Sequence, residues 1–81
     1  MKKVYIGDVI LNLYASEDNP HRIGIVNNID KEYVYMICIY KGKIDRYKFY
    51  KSIIINDTEH FIIKGNVNLY EIIKNELDNF K

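Results

Sequence analysis

Residues 33 to 50, Tyr-Val-Tyr-Met-Ile-Cys-Ile-Tyr-Lys-Gly-Lys-Ile-Asp-Arg-Tyr-Lys-Phe-Tyr, hold the side chains best suited to engage another molecule. Five of the eight tyrosines lie here. Lys41, Lys43, Arg46, Lys48 and Lys51, offset only by Asp45, give a local charge of +4 over eleven residues. Tyrosine rings on a sheet stack on bases while neighbouring cations meet phosphates, which is how single-stranded nucleic acid is held without sequence readout. The same residues suit a protein partner, because Tyr and Arg are favoured at interface hot spots. A purely structural use also exists: lysines keep an exposed strand from pairing edge to edge, and tyrosines cover the core.

Other chemistry is sparse. His21 and His60 have no Cys or His companion at zinc-ligand spacing, so they read as surface histidines and no metal site is expected. Ser16, Ser52, Thr58 and Cys38 are the available nucleophiles, and none sits in a nucleophile motif. No glycine-rich phosphate loop occurs. Cys38, the one cysteine, lies in an apolar run and is expected to be a buried, unreactive thiol. Neither a catalytic residue nor a cofactor is assigned.

The elements that must position these residues follow from hydrophobic period. If Lys41-Gly42 form a two-residue turn, Tyr40 opposes Lys43, Cys38 opposes Asp45, Met36 opposes Tyr47 and Val34 opposes Phe49. On the other side Ile39 meets Ile44, Ile37 meets Arg46, Tyr35 meets Lys48 and Tyr33 meets Tyr50. The first set reads as core. Tyr33, Tyr35, Ile37, Ile39, Ile44, Arg46, Lys48 and Tyr50 read as a semi-exposed platform, the expected partner-binding face. A slip of one residue would exchange the two sets.

Upstream, Val9, Leu11 and Leu13 share one parity of a strand over 8–14, with Ile10 alone among apolar residues on the other. Residues 15–21, with the only proline, form a loop. Ile23, Ile25 and Ile29 share a parity in a strand over 22–29. Residues 53–56 and 60–64 flank the polar cluster Asn56-Asp57-Thr58-Glu59 and predict a second short hairpin. Leu69, Ile72, Ile73, Leu77 and Phe80 then recur at helical spacing, and Asn68 with Glu71 makes a capping-box pair, so an amphipathic helix is predicted over 68–80. Five to six strands and a terminal helix place the chain in the mainly β (α+β) class, as a small antiparallel SH3-like barrel or a bent sheet.

At 81 residues one domain with a small core is expected, burying about 60 to 65% of the unfolded chain's surface. The net charge of +1 excludes a global electrostatic case for nucleic acid. No apolar run approaches the roughly 18 residues of a membrane span, so a cytoplasmic protein without membrane contact is expected. Ile, Lys, Asn and Tyr supply 42 of the 81 residues, the outcome of AT-rich codons and a pointer to a low-GC bacterium, its phages or its plasmids.

Gly7-Asp8-Val9-Ile10, a polar loop, and His21-Arg22-Ile23-Gly24-Ile25-Val26 resemble the opening strands of the MazF/PemK toxin family, SH3-like barrels that cleave single-stranded RNA. The resemblance covers the first third of the chain. It implies a catalytic role for Arg22, which matches the family's arginine before the second strand. Ile23 stands where that family has proline, and no Thr or Ser follows Tyr40 to match its second catalytic residue. The reading that absorbs most of the residues is a non-enzymatic protein-interaction module, with phage- or plasmid-encoded modulation or inhibition of a host machine as its role. A single-strand-binding barrel, a homodimer and a MazF-like ribonuclease are the alternatives.

Overall fold

The computed structural model describes residues 3–67. Five strands, β1 (Asp8–Asn12), β2 (Ile23–Ile29), β3 (Tyr33–Tyr40), β4 (Lys43–Tyr50) and β5 (Phe61–Asn66), form one antiparallel sheet in the order β4-β3-β2-β1-β5. β4 and β5 are the two ends and do not pair, so the sheet is not closed. One turn of 3-10 helix, Pro20–Arg22, precedes β2, and a short helix α1 (Lys51–Asn56) joins β4 to β5. The terminal helix predicted over 68–80 lies outside the described residues. Among those described, no helix is long and apolar enough to cross a membrane.

The β3–β4 pairing is the one that a two-residue turn requires, from Tyr40↔Lys43 through Tyr33↔Tyr50. Lys41 and Gly42 both have positive φ, 52° and 75°, the backbone of a type I′ turn whose twist matches that of the flanking strands. Cross-strand pairing then sorts side chains onto two faces. An inner face carries the core: Ile10, Val26, Val34, Met36, Ile54 and Phe61, with Tyr47, Phe49, Ile29 and Ile63 packed against it.

Three expectations fail, each for a physical reason. Residues 53–56 are not a strand: Lys51–Asn56 is helical, although Ile53-Ile54-Ile55 is β-branched. Strand preference is context-dependent, and here the chain must return from β4 to β5 at the opposite end of the sheet. α1 makes that crossing over the inner face, burying Ile54 completely and leaving Ile53 exposed. Glu32 accepts the Lys51 N–H at 2.7 Å where the helix begins, and the Asp57 N–H donates to Ile53 at its end.

In β1 the buried parity is Asp8, Ile10 and Asn12, not Val9, Leu11 and Leu13. Both faces of this strand carry apolar residues, so alternation did not decide between them. The two buried polar residues serve the backbone instead. Asp8 accepts the Tyr5 N–H at 2.8 Å and an Asn66 Nδ2–H at 2.8 Å, and Asn12 Oδ1 accepts the Tyr14 N–H at 2.9 Å. Ile29 likewise leaves the parity of Ile23 and Ile25, because a bulge between Val26 and Asn28 moves it to the core face.

Candidate functional site

The outer face of the sheet holds every residue expected to bind a partner. Pairing places Val9, Leu11, Ile23, Ile25, Ile37, Ile39 and Ile44 there, beside Tyr33, Tyr35, Arg46, Lys48 and Tyr50. Tyr33, Tyr35 and Ile37 are half-buried, whereas Ile39 is 71% exposed and Ile44 and Ile23 are each 55% exposed. Ile39 and Ile44 are directly opposed, and continuing the Ile25↔Ile37 register by two residues brings Ile23 level with Ile39. An isoleucine row thus crosses β2, β3 and β4 in the open.

The aromatic end of this face is organised by its own contacts. Tyr33 stacks on Tyr50 with centroids 5.2 Å apart and meets Tyr35 at 6.1 Å. The Lys48 ammonium lies 4.1 Å from the Tyr33 ring centroid, a cation–π contact. Tyr35 donates its hydroxyl to Asp30 at 2.6 Å. That bond and the backbone N–H groups of Tyr33 and Glu32 hold the Asp30 carboxyl below its ordinary range, and the same bond raises the Tyr35 phenol. A base entering here would displace contacts already made. Arg46, by contrast, has no ion pair among the described residues, since Asp45 turns to the other face.

On the inner face the fold assembles a cluster that linear spacing did not announce. His21, on the 3-10 turn, places Nε2 2.6 Å from Asp45 Oδ2 on β4, and Cys38, the cross-strand partner of Asp45, completes a group whose ligand atoms all lie within 4.8 Å of one another. The Cys38–Asp45 half was readable from the hairpin register. His21 was not, because the loop of residues 15–22 sets its position. Asn19 caps that turn by accepting the His21 N–H at 2.8 Å, and the His21 ring stacks on Tyr47 at 4.0 Å and 12°. Burial and the neighbouring Asp45 push the Cys38 thiol up. Burial drives the Tyr47 phenol higher still.

A third cluster has its Asp–His pair in the turn before β5, where His60 sits, and not on a strand. Tyr14 donates its hydroxyl to Asp57, and His60 Nδ1 lies 2.9 Å from Asp57 Oδ1. Asp57 also accepts the His60 N–H at 3.1 Å. The pair borders a shallow groove that includes Ser52, Thr58, Phe49 and Phe61. Neither hydroxyl residue has a hydrogen bond to His60 among the described residues, and the Asp57–His60 contacts present cap the turn before β5.

The residues behind the ribonuclease resemblance have structural duties. Gly7 adopts φ +93° in close approach to the Val67 carbonyl, and Asp8 ties the amino-terminal turn to β5. Arg22 donates from Nη1 to the Ala15 carbonyl at 2.7 Å, closing the 15–22 loop. Comparison with known proteins finds no family model, no curated protein and no solved structure that matches this chain.

Proposed function

We propose that this chain is a non-enzymatic binding domain that engages a protein partner through the outer face of β2, β3 and β4. The open isoleucine row Ile23, Ile39 and Ile44 is the observation that carries this reading. These three apolar side chains lie side by side in the open, and contiguous apolar surface rimmed by charge marks interaction sites. Arg46 and Lys48 border the row, so the fitting partner has an apolar centre and an acidic rim. Lys48 is partly engaged on Tyr33, which makes Arg46 the freer of the two cations.

The nucleic-acid reading is weaker on the same geometry. Tyr33, Tyr35 and Tyr50 are occupied with one another, with Lys48 and with Asp30, which leaves fewer free ring faces for bases. The SH3-like barrel remains our proposed class. The pairing of β5 with β1 supports it, because bringing the last strand back to the first is what a small barrel needs. We attach to the domain the role of a phage- or plasmid-encoded modulator of a host machine, on composition alone.

Affinity capture with tagged protein from a low-GC bacterial lysate, with and without nuclease, tests the reading. Capture of a protein that survives nuclease and high salt supports it. Capture abolished by nuclease, or lost steeply with salt, transfers the face to nucleic acid.

A further inference from the structure

We propose that His21, Cys38 and Asp45 form a zinc site on the inner face of the sheet, remote from the isoleucine row and independent of it. Three elements supply the ligands: the 3-10 turn, β3 and β4. Tetrahedral zinc with bonds of about 2.0 to 2.3 Å holds its ligand atoms roughly 3.3 to 3.8 Å apart. That spacing lies between the 2.6 Å of His21 Nε2 to Asp45 Oδ2 and the 4.8 Å that bounds the whole group. The separations between ligand atoms therefore need to change by no more than about 1 Å to reach that spacing.

The histidine is held ready. Asn19 fixes its backbone, and stacking on Tyr47 fixes the plane of its ring. Metal coordination takes place in that plane, at the ring edge, so the stack orients the ligand without competing for it. His21 and Asp45 keep 37% and 44% of their side chains exposed, while Cys38 is 92% buried. An ion can thus enter from the His–Asp side and keep a solvent position as its fourth ligand.

The donor set selects the metal class. A thiolate is a poor ligand for magnesium or calcium, whereas thiolate, imidazole and carboxylate together suit zinc. A Cys–His–Asp nucleophile is the rival for the same three residues. It requires an accessible sulfur, and the burial of Cys38 denies a substrate that approach. An ordinary His–Asp ion pair is the other rival, and it assigns Cys38 no part.

The test uses the full chain, stripped with a chelator and dialysed against zinc chloride, with metal per chain measured by elemental mass spectrometry and cobalt chloride as a spectroscopic probe. The site predicts one zinc per chain, a thermal midpoint that rises with zinc, and a thiolate-to-cobalt charge-transfer band. Asp45→Asn and His21→Gln should each weaken zinc binding at least about tenfold, and Cys38→Ser should abolish the cobalt band. His60→Gln should change nothing. Asp45→Asn is partly exposed and preserves side-chain shape, so it remains informative if Cys38→Ser proves unstable. Absence of zinc binding by the wild type, or a bound cobalt without the thiolate band, would overturn the proposal.

Discussion

The contact between Tyr47 and Gly24 allows a prediction that can be worked from distances. Tyr47 lies against the core and its hydroxyl is fully buried without a hydrogen-bond partner among the described residues. A buried, unsatisfied hydroxyl costs about 1 to 3 kcal/mol. Tyr47→Phe removes that oxygen and keeps the ring that stacks on His21 and meets Phe49 edge-on, so it should leave stability unchanged or raise it by up to about 2 kcal/mol. Gly24→Ala puts pressure on the same atom. A Cβ there would lie 2.0 Å from the Tyr47 hydroxyl oxygen and 3.0 Å from both Tyr47 Cζ and Met36 Cε. Ordinary contact is about 3.5 to 4.0 Å, so the oxygen must retreat by roughly 1.5 Å, and overpacking of this kind costs about 1 to 3 kcal/mol. In the Tyr47→Phe background the worst clash is gone and the two at 3.0 Å remain, so the cost should shrink without vanishing. Any gain from reduced unfolded-state entropy in Gly→Ala is common to both backgrounds and cancels in the cycle. Urea unfolding of the four proteins should give a coupling of about 1 kcal/mol. The reasoning fails if Tyr47→Phe destabilises by more than about 1 kcal/mol, which would show a satisfied hydroxyl, or if the two changes are additive.

Two further expectations concern the turns. Lys41 holds φ 52° in the hairpin turn, a conformation that asparagine tolerates better than lysine. Lys41→Asn should therefore stabilise the protein by about 0.5 kcal/mol in urea unfolding, and a loss of stability would argue against the type I′ geometry. Asp57 is held below its ordinary value of 3.8 by hydrogen bonds from Tyr14 and His60. Its folded-state pKa is depressed, so its stabilising contribution is complete above that value and is lost as pH falls through the folded pKa. The stability gap between wild type and Asp57→Asn should be full above the carboxyl's ordinary range and close as pH falls through its depressed folded-state pKa; a gap independent of pH would remove the carboxylate from the account.

The hairpin was legible because its information is local: a period of two, one glycine at the turn and no competing register once Val34 and Met36 are assigned to the core. Elsewhere the deciding facts are tertiary. Ile10 occupies the core while Val9 and Leu11 face outward, because Asp8 and Asn12 are buried to satisfy backbone groups that no alternation rule counts. Ile29 changed faces through a bulge at Asn27, a residue ordinary in sequence. Ile53 to Ile55 became helical because the path from β4 to β5 crosses the core. The residues of 33–50 proposed to meet a partner lie on one side of the sheet, but the open row there also includes Ile23 from β2, which needed the β2–β3 pairing to be seen. His21 joined Cys38 and Asp45 through a loop whose shape depends on Asn19 and Arg22.

The proposed binding face is tested most directly by changing its exposed row without disturbing the fold. Ile39 and Ile44 are largely in solvent, and threonine retains the β-branch that suits a strand, so Ile39→Thr with Ile44→Thr should cost only about 1 kcal/mol of stability. Loss of two central apolar anchors should weaken partner binding by about 2 to 4 kcal/mol, enough to empty a capture resin. Quantitative capture by wild type and by this double variant, matched for folded protein and treated with nuclease, is the measurement. The account predicts a partner retained by the wild type and lost from the variant; equal capture by both would contradict it.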